Sequence, residues 1–146
     1  MMEIWVVTAD SSRARILKTR NPFGGLVEIE THEHAKSRLH PREFTTGGPG
    51  RASNRTNGAG GHALEKEGAA KDQEAVVFAR HLAACLGKAE REGRFGRLVI
   101  AAAPRFLGRL RACLPPNVRK RVVREVSKDL VKQNPSQIRG SLPERL

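Results

Sequence analysis

The residues of this chain that could do chemistry are scattered, and most of them sit in or beside one glycine-rich basic stretch. It contains Gly47-Gly48-Pro49-Gly50-Arg51 and Gly58-Ala59-Gly60-Gly61-His62, with Lys36, Arg38, Arg42, Arg51, Arg55 and Lys66 spread along it. Backbone amides from closely spaced glycines and mobile cations suit a phosphate chain, and basic segments of this kind order on RNA. The glycines match neither a P-loop nor a dinucleotide fingerprint, because no strand leads into them and no Gly-Lys-Ser/Thr follows. His32 and His34, with His40 nearby, raise a metal question, since alternate strand positions point the same way. No Cys or acid completes a tetrahedral set at standard spacing, so no metal site is expected.

Other candidates are weaker. Asp10, Asp72 and Asp129 are the carboxylates a metal-dependent nuclease would use, but such cleavage needs acids converging within a few ångströms. Each reads as structural: Asp10 ends a strand, Asp72 caps a helix and Asp129 follows a strand. No Ser/His/Asp or Cys/His arrangement carries a local signature, so no catalytic nucleophile is expected; His62 and Asp10 are the residual candidates. Cys85 and Cys113 fall inside amphipathic patterns and read as reduced, packed thiols, while His81 lies off the apolar stripe of its helix and reads as exposed. Arg105 and Arg109 follow a buried strand, at the edge where α/β folds bind ligands, and are candidate phosphate contacts.

The charge has a direction. Between Arg94 and Leu146 there are thirteen Lys/Arg against three acids, which is ten of the chain's net +12. Such a field favours phosphate-rich partners or an anionic surface. With Trp5, five Phe and no Tyr in 146 residues, a ring platform for single-stranded bases is not expected. The start of the chain lacks a basic leader and no apolar run is long enough to span a bilayer, so a cytoplasmic protein without membrane insertion is expected.

The elements that must position these residues form one domain over 1–146. Ile4-Trp5-Val6-Val7 reads as a buried strand. Residues Arg13 to Arg20 and Leu26 to His32 read as two more, the last with Val27, Ile29 and Thr31 on one face and Glu28, Glu30 and His32 on the other, completing an antiparallel meander. Residues 35–71, entered at His34, read as a long flexible loop. Asp72 then opens a helix to about Arg91 with Ala75, Phe78, Ala79, Leu82 and Leu86 on its apolar face. Leu98 to Ala103 reads as a strand buried on both faces, and Pro104 starts a helix with Phe106, Leu107, Leu110 and Leu114 inside. A helical turn over Pro116 to Lys120, a strand from about Arg121 to Ser127 and a short helix capped at Asn134-Pro135-Ser136 complete the order. This is an α/β fold with a mixed sheet.

Trp5 to Asp10 with Ala14-Arg15-Ile16, Gly50-Arg51, Gly61-His62-Ala63, Phe78-Ala79 with Leu82, Leu98 to Leu110 with its core from Ala103, and Lys128-Asp129-Leu130 occur in an order that resembles the bacterial host-attachment protein family. That family is similar to the middle domain of archaeal and eukaryotic translation release factors. The resemblance implies a ribonuclease H-like α/β fold and aligns the long loop with the one that carries a Gly-Gly-Gln tip in release factors, where the tip promotes peptidyl-tRNA hydrolysis. Here the match is Gly60-Gly61-His62. With the glutamine absent, the resemblance implies docking on RNA or the ribosome more than hydrolysis, with no cofactor, through Arg38, Arg42, Arg51, Arg55, Gly60, Gly61, His62, Arg105 and Arg109. A divergent peptidyl-tRNA hydrolase or nuclease, and an interaction protein in host attachment, are the alternatives. Either a monomer or a homodimer fits.

Overall fold

The computed structural model of the chain describes residues 2–34 and 60–146, and for 60–71 the backbone alone. Five strands form one sheet: β1 (Ile4–Ala9), β2 (Arg13–Thr19), β3 (Val27–Glu33), β4 (Arg97–Ala102) and β5 (Val122–Val126). Their order is β3-β2-β1-β4-β5, with β1, β2 and β3 antiparallel and β4 and β5 parallel to β1. The helices are α1 (Gly60–Arg91), α2 (Pro104–Cys113), the single turn α3 (Pro116–Arg119) and α4 (Pro135–Gly140). The expected α/β order with a mixed sheet is therefore present.

Two cores explain why the central strands are apolar on both sides. Trp5, Val7 and Ala9 of β1, with Leu98, Ile100 and Ala102 of β4, face α1 and α2, meeting Phe78, Leu82, Leu86, Phe106 and Leu110. The alternate residues Ile4, Val6, Val99 and Ala101 face the C-terminal segment, where Leu130, Ile138, Leu142 and Leu146 cover them. A strand covered twice has no polar face to show in sequence. Pro104 stands in the first turn of α2, and Asn134 caps α4 in a capping box with Gln137.

Two expectations are overturned. The helix does not begin at Asp72: α1 starts at Gly60 and runs for 32 residues, so residues 60–71 of the expected loop are helical. The glycines of Gly58 to Gly61 and Gly68 signal a loop, but Ala63, Leu64, Glu65, Lys66, Glu67, Ala69, Ala70 and Lys71 are strong helix formers, and their summed propensity prevails. Asp72 thus lies inside the helix rather than at its cap.

The second correction concerns β3. A bulge skips Ile29, so Ile16 pairs with Glu30 and Leu17 with Glu28. An extra residue reverses the alternation beyond it. Ile29 packs on the helix-side core, Glu30 and His32 lie on that same side opposite Ile16 and Ala14, and Thr31 instead bonds Glu28 on the far side at 2.7 Å. The expected grouping of Ile29 with Thr31 against Glu30 and His32 does not hold.

Half-buried arginines fasten the sheet to its coverings. Arg15 pairs with Glu28 and donates to the carbonyls of Val131 (2.8 Å) and Gln133. Arg121 and Asn117 hold Glu90 at the end of α1. The hydrogen bonds of Arg15 and Thr31 hold the Glu28 carboxyl below its ordinary range, and those of Asn117 and Arg121 do so for Glu90. At Glu30, burial pushes the other way but is outweighed by His32 and Arg94. Carboxylates depressed in the folded state contribute stability that is fully present above the unfolded pKa, about 4.3, and lost as pH falls through the folded value. The melting temperature is expected to be flat at and above about pH 5 and to fall below about pH 4.3. Thermal melts across this range check it, and Glu28→Gln should make the acid limb shallower.

Candidate functional site

The helix layer carries an open groove of about 750 Å³ between α1 and α2. On α1 its wall is Val76, Arg80, Ala83, Ala84, Gly87 and Arg91, which recur every three or four residues and so form one face. Across from them stand Arg109, Ala112 and Cys113 of α2 and then Pro115. The floor is small because α1 packs closely on the segment between α2 and α3: a Cβ on Gly87 would lie 3.2 Å from Pro115 Cγ. Three guanidinium groups therefore border a shallow floor of alanine and glycine.

The arginines differ in freedom. Arg109 is only 22% exposed, pairs with the Asp72 carboxylate at 3.1 Å and donates to the Asp72 carbonyl at 2.7 Å. That double contact ties α2 to α1 and places a cation at the end of the groove. Arg105 is 81% exposed and stands 3.8 Å from the same carboxylate. Arg80 and Arg91 are exposed and make no ion pair or hydrogen bond among the described residues, so their charge is available to an incoming anion. Sequence reading passed over both; the signal was their eleven-residue separation, three helical turns along one face.

The other candidates lie apart from this groove. Arg38, Arg42, Arg51 and Arg55 fall outside the described residues, as does His40, and Gly60, Gly61 and His62 occupy the first turn of α1. Asp10 forms a turn, its Oδ1 accepting from the Ser12 and Arg13 amides at 2.8 Å each. Asp129 accepts from the Val131 amide at 3.3 Å. Among the described residues neither these two nor Asp72 joins a group of three potential metal ligands. His32 and His34 both reach toward α1, where His34 packs on Phe78 at 5.9 Å between ring centroids and His32 meets His81 at 5.7 Å. Burial, and then the Glu30 charge, push the Cys85 thiol up, which keeps it protonated and a poor nucleophile.

The basic C-terminal half also divides on inspection. Arg94, Arg97, Arg111, Arg121 and Arg139 are engaged with Glu30, the Leu146 carbonyl, Glu125, Glu90 and backbone carbonyls respectively. Arg124, Lys128, Lys132 and Arg145 are exposed with no partner among the described residues, while the exposed Lys120 acts on the Glu90 carboxylate. No described helix is long and apolar enough to cross a membrane.

A family model described as "Protein required for attachment to host cells" matches residues 5–142, and the chain belongs to that family. No curated protein matches it.

Proposed function

We propose that this host-attachment family member is a cytoplasmic, non-enzymatic protein that binds the phosphate backbone of RNA, free or in the ribosome. The observation that carries the reading is the groove between α1 and α2, with Arg80 and Arg91 unengaged along one helical face and Arg109 across from them. Guanidinium forks suit phosphate oxygens, and a floor of small side chains lets a backbone approach. The basic stretch of 35–59, with Arg38, Arg42, Arg51 and Arg55, and then Gly60, Gly61 and His62, precedes the groove residues of α1 in sequence and adds further phosphate-binding candidates. Asp10 and Asp129 spent on local turns, and Cys85 held as a thiol, favour binding over catalysis.

The strand order β3-β2-β1-β4-β5, antiparallel and then parallel, supports the finer reading of a ribonuclease H-like, release-factor-like domain. The family's description favours a second reading, that of an interaction protein acting in attachment to host cells.

Co-sedimentation with ribosomes over a salt series tests the first. Arg80→Glu/Arg91→Glu is expected to weaken binding by roughly tenfold or more and to reduce the slope of log K against log salt by about 1.4, the value for two fewer phosphates neutralised on a single strand. Unchanged affinity and slope would sink the reading, and recovery of the protein in an extracellular or surface fraction would favour the second.

A further inference from the structure

Away from the groove, three side chains with metal-binding chemistry converge where the edge strand β3 meets α1. His81 and Cys85 stand one turn apart on the helix, so they share a face, with Cys85 Sγ 3.7 Å from His81 Nε2. His32 arrives from β3 with its ring at 67° to that of His81. One donor atom from each of the three lies within 4.8 Å of the other two. Nitrogen and sulfur donors at about 2.0–2.3 Å from a tetrahedral ion lie about 3.5 Å apart, so the Cys85–His81 separation is already close to that edge. The others need close by no more than about 1.3 Å on the same geometry.

The surroundings fit an ion as well. The Glu30 carboxylate lies 3.0 Å from His32 Nε2 and is itself held by Arg94 at 3.1 Å. A carboxylate behind an imidazole is the arrangement that orients a ligating histidine. His81 is exposed and Cys85 half-buried, which leaves a way in from solvent, and both cysteines are free.

We propose that His32, His81 and Cys85 form a binding site for a divalent ion of the zinc class, with a fourth position open to water. Two imidazoles and a thiolate, the Cys85 proton being released to solvent as the ion binds, select a borderline-soft ion over magnesium or calcium. Its binding would clip the sheet-edge strand to the long helix, joining the elements on either side of residues 35–59. The signal was hidden because His32 is 49 positions from His81 in the chain, and a bulge sets the side on which it emerges.

Cobalt(II) titration of the full chain provides the test, with zinc as competitor. One equivalent is expected to give the intense thiolate-to-cobalt charge-transfer band, abolished by zinc. Cys85→Ser should remove the band and His32→Ala or His81→Ala should weaken binding roughly tenfold or more, with far-UV circular dichroism unchanged. Cys113→Ser, His40→Ala and His62→Ala should retain it. No charge-transfer band in the unaltered protein, or a band that survives Cys85→Ser, overturns the proposal. Zinc should also raise the melting temperature of the unaltered protein and leave that of Cys85→Ser unmoved; equal shifts in both overturn it too.

Discussion

Phe78→Ala is expected to lower the unfolding free energy by roughly 3–5 kcal/mol, the largest effect of any single truncation considered, because the site cannot collapse around the loss. Phe78 is 1% exposed and projects from α1 into the core between sheet and helices. Its ring meets Phe106 of α2 at 5.9 Å, His34 at 5.9 Å and His81 at 6.3 Å. Removing it therefore loosens α1 from α2 and from the end of β3 together. Phe78→Leu fills much of the volume and is expected to cost less than about 1.5 kcal/mol. Urea unfolding followed by Trp5 fluorescence measures both, since Trp5 is the only tryptophan and is itself buried against Phe95. A loss below about 1 kcal/mol for the alanine variant would mean that this junction is not the packed centre described.

Arg139→Ala is expected to cost roughly 3 kcal/mol, through hydrogen bonding rather than apolar burial. From α4 its guanidinium donates to the carbonyls of Gly24 at 2.8 Å, Pro22 at 3.1 Å, Pro143 at 2.7 Å and Glu144 at 2.5 Å. These carbonyls belong to the turn between β2 and β3 and to the C-terminal tail, so one side chain joins two distant pieces of backbone. The Leu146 amide donates to the Pro22 carbonyl at 2.9 Å and Arg97 donates to the Leu146 carbonyl at 3.3 Å, closing the same corner. Arg139→Lys is expected to recover little, because an ammonium lacks the planar fork that reaches four acceptors. Limited proteolysis should then cut near the C-terminus faster than in the unaltered protein. A stability equal to that of the unaltered protein would refute the clamp.

These two residues also mark the limits of reading the chain without its fold. Phe78 was legible: its spacing with Ala75, Ala79, Leu82 and Leu86 defines an apolar face, and all five are buried. Arg139 was visible only as one of thirteen cations, as were Arg97 and Arg121. Charge is visible in sequence, whereas whether a carbonyl or carboxylate waits for it depends on residues that can lie more than a hundred positions away.

The sequence by itself determined the alternation of strands and helices after Arg94, the buried β1, the doubly buried β4, the proline-started α2, the capped α4 and the family. Local propensity, caps and the period of apolar residues are short-range properties, and they survive folding unchanged. The start of α1 was local too, with helix formers between glycines outweighing the loop signal; only the tertiary structure decided the sides of β3, where one bulged residue moved Glu30 and His32 to the helix side. It alone separated engaged from unengaged arginines and set Arg80 and Arg91 along a groove. It also brought His32 beside His81 and Cys85. Such convergence depends on register and helix facing, which pairing and packing between distant segments determine.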